Sequence, residues 1–257
     1  MPKSHRQLSV LVHAASKAGK STLSSTMPLP LLVIDAEGGW RFLNTRGFQG
    51  KPLRKKVWNP LNELPPRHDG TWDVCLVTVR DWKTLSKTYE LLTQAPHDFV
   101  SVVIDSITEI QRRCKANIAG TEQMRIQDWG TLLSQMDAVI RGFRDLTLWD
   151  TLTVSCVMFI AESRKTDDKI IPYMQGQISI SLPYWVDICG YLFVEAEDDP
   201  ADPNGQKKIP IRKLQIGPHR QVESGERVQG KLPPTVRNPN VEEMLDAIFG
   251  KPEEALK

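Results

Sequence analysis

The stretch Leu8 to Thr22, LSVLVHAASKAGKST, constrains this chain more than any other. An apolar run, Leu8 to Val12, leads into a loop of small residues that closes on Gly19-Lys20-Ser21-Thr22. The apolar run predicts a buried strand. The loop carries so little side-chain bulk that successive backbone N–H groups can wrap around phosphate oxygens. The helix expected from about Lys20 to Thr26 turns its positive N-terminus toward the same place. Ala14, Ala15, Ser16, Lys17, Ala18, Gly19, Lys20, Ser21 and Thr22 are therefore the expected ATP-binding residues. In such a loop Lys20 reaches the β- and γ-phosphates, and the Ser21 hydroxyl ligates magnesium. Ala14 stands where the first Gly of the usual spelling falls, which requires a negative φ there.

A chain of 257 residues is within reach of a single α/β domain. Its apolar share of 40% and charged share of 25% are ordinary for a globular protein. No apolar run approaches the ~18 residues of a membrane span, and MPKSHRQ is too polar for a secretory signal, so a cytoplasmic protein away from membranes is expected. Cys75, Cys114, Cys156 and Cys189 are widely spaced and form no CxxC pair, which predicts buried reduced thiols. A net charge of +2 gives no whole-chain signal for nucleic acid, so any such surface must be a local patch.

The run Leu31 to Ile34 predicts a second buried strand, which enters Asp35-Ala36-Glu37-Gly38-Gly39. Acidic residues at the C-terminal end of a parallel strand sit where open α/β sheets bind ligands. Glu37 is thus a candidate to orient or deprotonate an attacking water, the alternative being a turn with solvated acids. Residues 41 to 72 read as a surface excursion, and its basic run (Lys51, Arg54, Lys55, Lys56) as a solvated face, a DNA contact being the alternative. Val74 to Val79 resumes as a strand, and Asp81 is placed to cap a helix with Trp82, Leu85, Tyr89 and Leu92 at helical spacing. Phe99 to Ile104 is a third buried strand ending in Asp105, whose carboxylate would hold magnesium opposite Ser21.

Trp129, Leu132, Leu133, Met136, Val139, Ile140 and Phe143 trace one stripe of an amphipathic helix that should pack on the sheet. Leu152 to Ile160 predicts the next strand. Glu162, just beyond it, is placed to sense a γ-phosphate. The segment Glu162 to Gln177 reads as a loop in which Arg164, Lys165, Lys169 and Tyr173 interleave cations with an aromatic ring. Phosphates need the charge and bases need a stacking face, so these four are candidate contacts to a DNA single strand, an ordinary exposed loop being the alternative. Val186 to Val194 and Ile209 to Ile216 predict late strands around an acidic turn, Glu195 to Gly205. There Arg212 and Lys213 are candidate cations for a neighbouring subunit's phosphates. Val241 to Phe249 reads as a short helix that stops at Gly250 before Pro252.

Alternating strands and helices, with each motif at a strand's C-terminal end, predict a three-layer α/β fold around a mostly parallel sheet. The order AxxxxGKST, LLVIDAEGG, VVIDS resembles the RecA-type P-loop ATPase core. More closely, it is similar to the small phage and prophage RecA-core proteins of single-strand annealing and recombination. The resemblance covers about residues 8 to 195. It implies one RecA-like ATPase domain in residues 1–257, with an extension from about residue 196. It also implies ATP and Mg2+ as cofactors, Glu37 as the residue that activates water, and Asp105 and Lys20 in their P-loop roles. Glu162 departs from the family, where recombinases carry Gln and many phage relatives His. With the loop starting by residue 14, the N-terminal segment by which recombinases link subunits is not expected.

The function implied is a magnesium-dependent, DNA-stimulated ATPase that binds single-stranded DNA and promotes annealing or homologous recombination. Its implied partners are single-stranded DNA, copies of itself in a ring or short filament, and a single-strand-binding protein. Its place is the host cytoplasm if it is phage-encoded. The same core also hosts helicase or packaging motors, and nucleotide-dependent adaptors that hardly hydrolyse.

Overall fold

A computed structural model of the chain describes residues 6–48, 50–202 and 207–251. The first five residues, residues 203 to 205 of the expected acidic turn, and Pro252 lie outside these. Four continuous apolar runs form the centre of the sheet: β1 (Leu8–Ala14), β2 (Leu31–Asp35), β4 (Val74–Thr78) and β5 (Ser101–Asp105), with β3 (Lys55–Val57) a short edge strand. They are joined by β6 (Cys156–Lys165), β8 (Ile188–Asp198), β9 (Lys208–Gln215) and β11 (Thr235–Arg237) in the order β11-β9-β8-β1-β6-β5-β2-β4-β3. The short strands β7 (Ile170–Pro172) and β10 (Gly225–Glu226) pair with β6 and β8. All pairings from β8 through β1 to β3 are parallel, whereas β9, β10, β11 and β7 join antiparallel.

Alternate residues of the central strands feed two separate cores, as a sheet covered on both faces requires. On β2, Leu32 and Ile34 enter one core while Leu31 and Val33 enter the other; β5 divides Val102 and Ile104 from Val103. The first core is covered by α2 (Trp82–Gln94), α3 (Ile107–Ala119), α4 (Ile126–Asp145) and α5 (Ile178–Trp185), the second by α1 (Lys20–Ser24) and α6 (Val241–Phe249). The fold is therefore the expected three-layer α/β P-loop architecture.

Three helices start on capping side chains, the first of them at Asp81 as expected. Asp81 accepts the Thr84 N–H at 2.7 Å, Ser106 accepts the Glu109 N–H at 3.2 Å, and Asn240 accepts the N–H groups of Glu242 and Glu243. The four cysteines are free and buried, and burial pushes each thiol up to about 12.

Several boundaries differ from expectation. Helix α1 ends at Ser24 rather than Thr26. Strand β6 begins at Cys156, not Leu152, and continues through Lys165. The expected loop from Glu162 to Gln177 thus contains a hairpin, with Arg164 opposite Ile171 and Lys165 opposite Ile170. Trp129, expected on the packing stripe of α4, is 36% exposed and lies under the Lys115 ammonium. The excursion 41–72 is more than surface, because it buries Trp58 and Trp72 against Phe99. Two cations of its basic run are structural: Arg54 pairs with Asp73, and the Lys55 ammonium binds the carbonyls of Trp40, Arg41 and Leu43, while Lys51 and Lys56 are exposed.

Candidate active site

The parallel register gathers the chemistry at one end of the sheet. Ala14 of β1 lies beside Glu162 of β6, and Asp35 of β2 lies beside Asp105 of β5. Strand β6 stands between β1 and β5, so the phosphate loop and the two aspartates face one another across it. Ala14 ends a strand and is not among the positive-φ residues, so its Cβ is accommodated. Lys17 takes the left-handed conformation instead, with φ 62°. Gly19 is left-handed too, at φ 102°. A Cβ there would sit 2.9 Å from Phe48 Cε1, so side chain and backbone both demand glycine.

Ala14 to Lys17, Gly19 to Thr22, Glu37, Asp105, Glu162 and Ser163 line one cavity of about 620 Å³. Of the expected phosphate-loop residues only Ala18 is absent from this wall; it is buried in the second core. Lys20 Nζ rests on the carbonyls of Ala14 and Ala15, at 3.3 and 3.1 Å. Burial lowers its pKa, opposed by Asp105, Glu37 and Glu162.

Ser21 Oγ donates to Asp105 Oδ2 at 2.6 Å, and Trp40 Nε1 donates to the same oxygen at 2.8 Å. Asp105 is only 4% exposed, and burial pushes its carboxyl up to about 6 against those two hydrogen bonds. Asp35 is buried beside it, raised by the same cause, and accepts the N–H groups of Gly38 (2.8 Å) and Trp40 (3.3 Å). Asp35 therefore folds the turn that presents Glu37 on one side and the Trp40 indole on the other. Glu37 is exposed to the cavity, where the Ser106 hydroxyl donates to its Oε1. The Asp105–Ser106 peptide bond is cis.

These residues fit a magnesium–nucleotide complex. Ser21 and Asp105 offer hard oxygen donors at hydrogen-bond distance, and a buried carboxylate with a raised pKa gains from an adjacent cation. Among the described residues no group of three or more His, Cys, Asp or Glu could cage a metal.

The remaining expected residues lie at the edge of this cavity and beyond it. Glu162, the expected γ-phosphate sensor, is gripped by the Arg112 guanidinium at 2.8 and 3.0 Å. Lys213 is held within its own chain by Glu195 and Glu197, both at 2.6 Å. Arg212 lies over its own Phe48 ring beside Gly19. The β8–β9 hairpin brings the acidic partners to Lys213, and the chain's own loop brings Phe48 to Arg212. Lys169 pairs with Glu223 at 2.8 Å, Arg164 lies 5.9 Å from the centre of the Tyr173 ring, and Arg164 and Lys165 are exposed.

Sequence reasoning missed Trp40, Ser106, Arg112 and His13. His13 Nε2 faces the Glu223 carbonyl at 2.7 Å, which only accepts, so Nε2 carries the proton. Burial lowers its pKa to about 4, so the ring is neutral and Nδ1 accepts the Ser163 hydroxyl at 2.9 Å. A histidine within an apolar strand was the one available signal.

Sheet order, phosphate loop and paired strand-end carboxylates define a P-loop nucleoside triphosphatase domain of the AAA type. Residues 6–228 match the family described as an AAA domain, and the chain belongs to that family. No curated protein matches the sequence. Among the described residues no helix is long and apolar enough to cross a membrane.

Proposed function

We propose that this chain is a magnesium-dependent ATPase that acts on single-stranded DNA, in annealing or homologous recombination. The observation that carries the hydrolytic part is the convergence of Lys20, Ser21, Asp105 and Glu37 on one cavity. Lys20 compensates phosphate charge, and the loop N–H groups position the chain of phosphates. Ser21 and Asp105 would hold Mg2+, which when bound neutralises charge developing on the phosphate oxygens. Glu37, fixed by the Ser106 hydroxyl, orients a water and takes its proton.

The DNA part is supported by the exposed Arg164 and Lys165 and by the Arg164–Tyr173 stack on the β6–β7 hairpin. The hairpin is wired to the nucleotide cavity. Thr108 Oγ1 donates to the Tyr173 carbonyl and accepts the Glu162 N–H, and Gln111 pairs with the backbone of Gln175 in both directions. These residues lie on α3, which starts immediately after Asp105-Ser106.

On this reading the protein resembles the small phage RecA-core recombination proteins. It works as one RecA-like domain with an extension from about residue 196, assembles with copies of itself, cooperates with a single-strand-binding protein, and acts in the cytoplasm of the host. The test is a titration of ATP hydrolysis with single-stranded and duplex DNA. Single strands should raise turnover, duplex should raise it less, and Lys20→Ala should abolish hydrolysis. A flat response to single strands would refute the DNA role.

A further inference from the structure

A second cavity, of about 740 Å³, opens beside the phosphate loop between β9, the loop around Phe48 and the start of α6. Gly19 lies between the two spaces: it lines the first, and a Cβ on it would lie 2.9 Å from Phe48 Cε1 and 3.1 Å from Arg212 Nε, residues that line the second. The Arg212 guanidinium sits 4.2 Å from the centre of the Phe48 ring, while its Nε is buried with no hydrogen-bond partner among the described residues. A stacked aromatic–guanidinium pair offers flat faces to another flat, polarisable ring, and a buried donor without an acceptor is costly until a ligand supplies one. Asn238 and Glu243 line the same space and bring an amide and a carboxylate, types that hydrogen-bond sugar hydroxyls and base edges. The volume lies within the range of small-molecule sites.

We propose that this cavity is the nucleoside subsite of the ATPase, in which Phe48 and Arg212 stack on the base while the loop from Ala14 to Thr22 holds the phosphates. The inference rests on the reading of that loop as a triphosphate site. It assigns Arg212 to the chain's own nucleotide rather than to a neighbour's. Stacking on this pair favours purines, whose larger ring overlaps more of it.

Calorimetric titration with MgATP, MgCTP, magnesium tripolyphosphate and a thymidine oligonucleotide separates the alternatives, using wild type, Phe48→Ala and Phe48→Tyr. Phe48→Ala should weaken MgATP by roughly ten- to a hundredfold, the loss of one stacked base. It should narrow the preference for ATP over CTP and leave tripolyphosphate and the oligonucleotide unchanged. Phe48→Tyr, which keeps the ring, should bind ATP as wild type does. Equal weakening of ATP and tripolyphosphate would overturn the proposal, since Phe48 would then only shape the loop. So would unchanged ATP affinity, or a loss confined to the oligonucleotide, which would make the cavity a DNA contact. Failure of wild type to bind either ATP or tripolyphosphate would sink the phosphate-site reading itself, a distinct outcome.

Discussion

Trp40 donates its indole N–H to Asp105 Oδ2, the same oxygen that receives the Ser21 hydroxyl. A tryptophan five residues beyond one strand thus stabilises the charged form of a carboxylate ending the next. Both hydrogen bonds oppose the burial that pushes Asp105 toward protonation.

Replacing Trp40 with Phe removes the donor and keeps most of the apolar bulk. Asp105 should then hold its proton to higher pH, and only the ionised form serves a magnesium ion. MgATP affinity at pH 7 should fall several-fold, within the roughly 1.5–3 kcal/mol of a hydrogen bond to a charged group. Affinity in Trp40→Phe should go on improving toward pH 8, where wild type has levelled off. Isothermal titration across pH 6 to 8.5 checks both the size and the shape.

The raised pKa of Asp105 also makes a stability statement about the nucleotide-free protein. Because the folded state keeps this proton to about pH 6 while the unfolded chain loses it near the ordinary 3.8, stability falls as pH rises between those values and stays down above them. The penalty is on the order of 3 kcal/mol. Asp105→Asn keeps an acceptor for Ser21 and Trp40 without the charge. In magnesium-free buffer it should melt higher than wild type at pH 8, and the difference should vanish near pH 4. Urea unfolding of the two proteins at both pH values reads it directly.

The grip of Arg112 on Glu162 makes a third case. Both side chains are substantially exposed, so the pair contributes little to folding. Its larger effect is to neutralise an acid that lines the phosphate cavity. Arg112→Gln should weaken ATP binding by about three- to tenfold through unscreened like charge. Glu162→Gln should not weaken it, and the double variant should return close to wild type. A double-mutant cycle on ATP affinity, with melting temperatures as a control, tests the coupling.

Most of the architecture was legible because buried parallel strands are written as unbroken apolar runs. Those ending in Asp35 and Asp105 announce their own C-terminal ends. The phosphate loop was legible because its chemistry forbids bulk. The end of β6 was not: past Ala161 the strand leaves the core to form a hairpin, and Ser163-Arg164-Lys165 carries no apolar signal. Trp58 and Trp72 follow no helical or strand period, so their burial could not be read. Trp40, Arg112 and Arg212 act through partners far away in the chain, Asp105, Glu162 and Gly19, and such contacts exist only once the sheet has assembled. The pairing of Lys213 with Glu195 and Glu197 depends likewise on the register of β8 with β9.

The central claim is that this cavity hydrolyses ATP, with Glu37 as the residue that activates water. Single-turnover hydrolysis by Glu37→Gln, measured beside its MgATP affinity and with single-stranded DNA present, tests it most directly. The account predicts affinity close to wild type and a chemical step slower by about 10²- to 10⁴-fold, the usual contribution of a general base. A Glu37→Gln protein that hydrolyses ATP at the wild-type rate would contradict it.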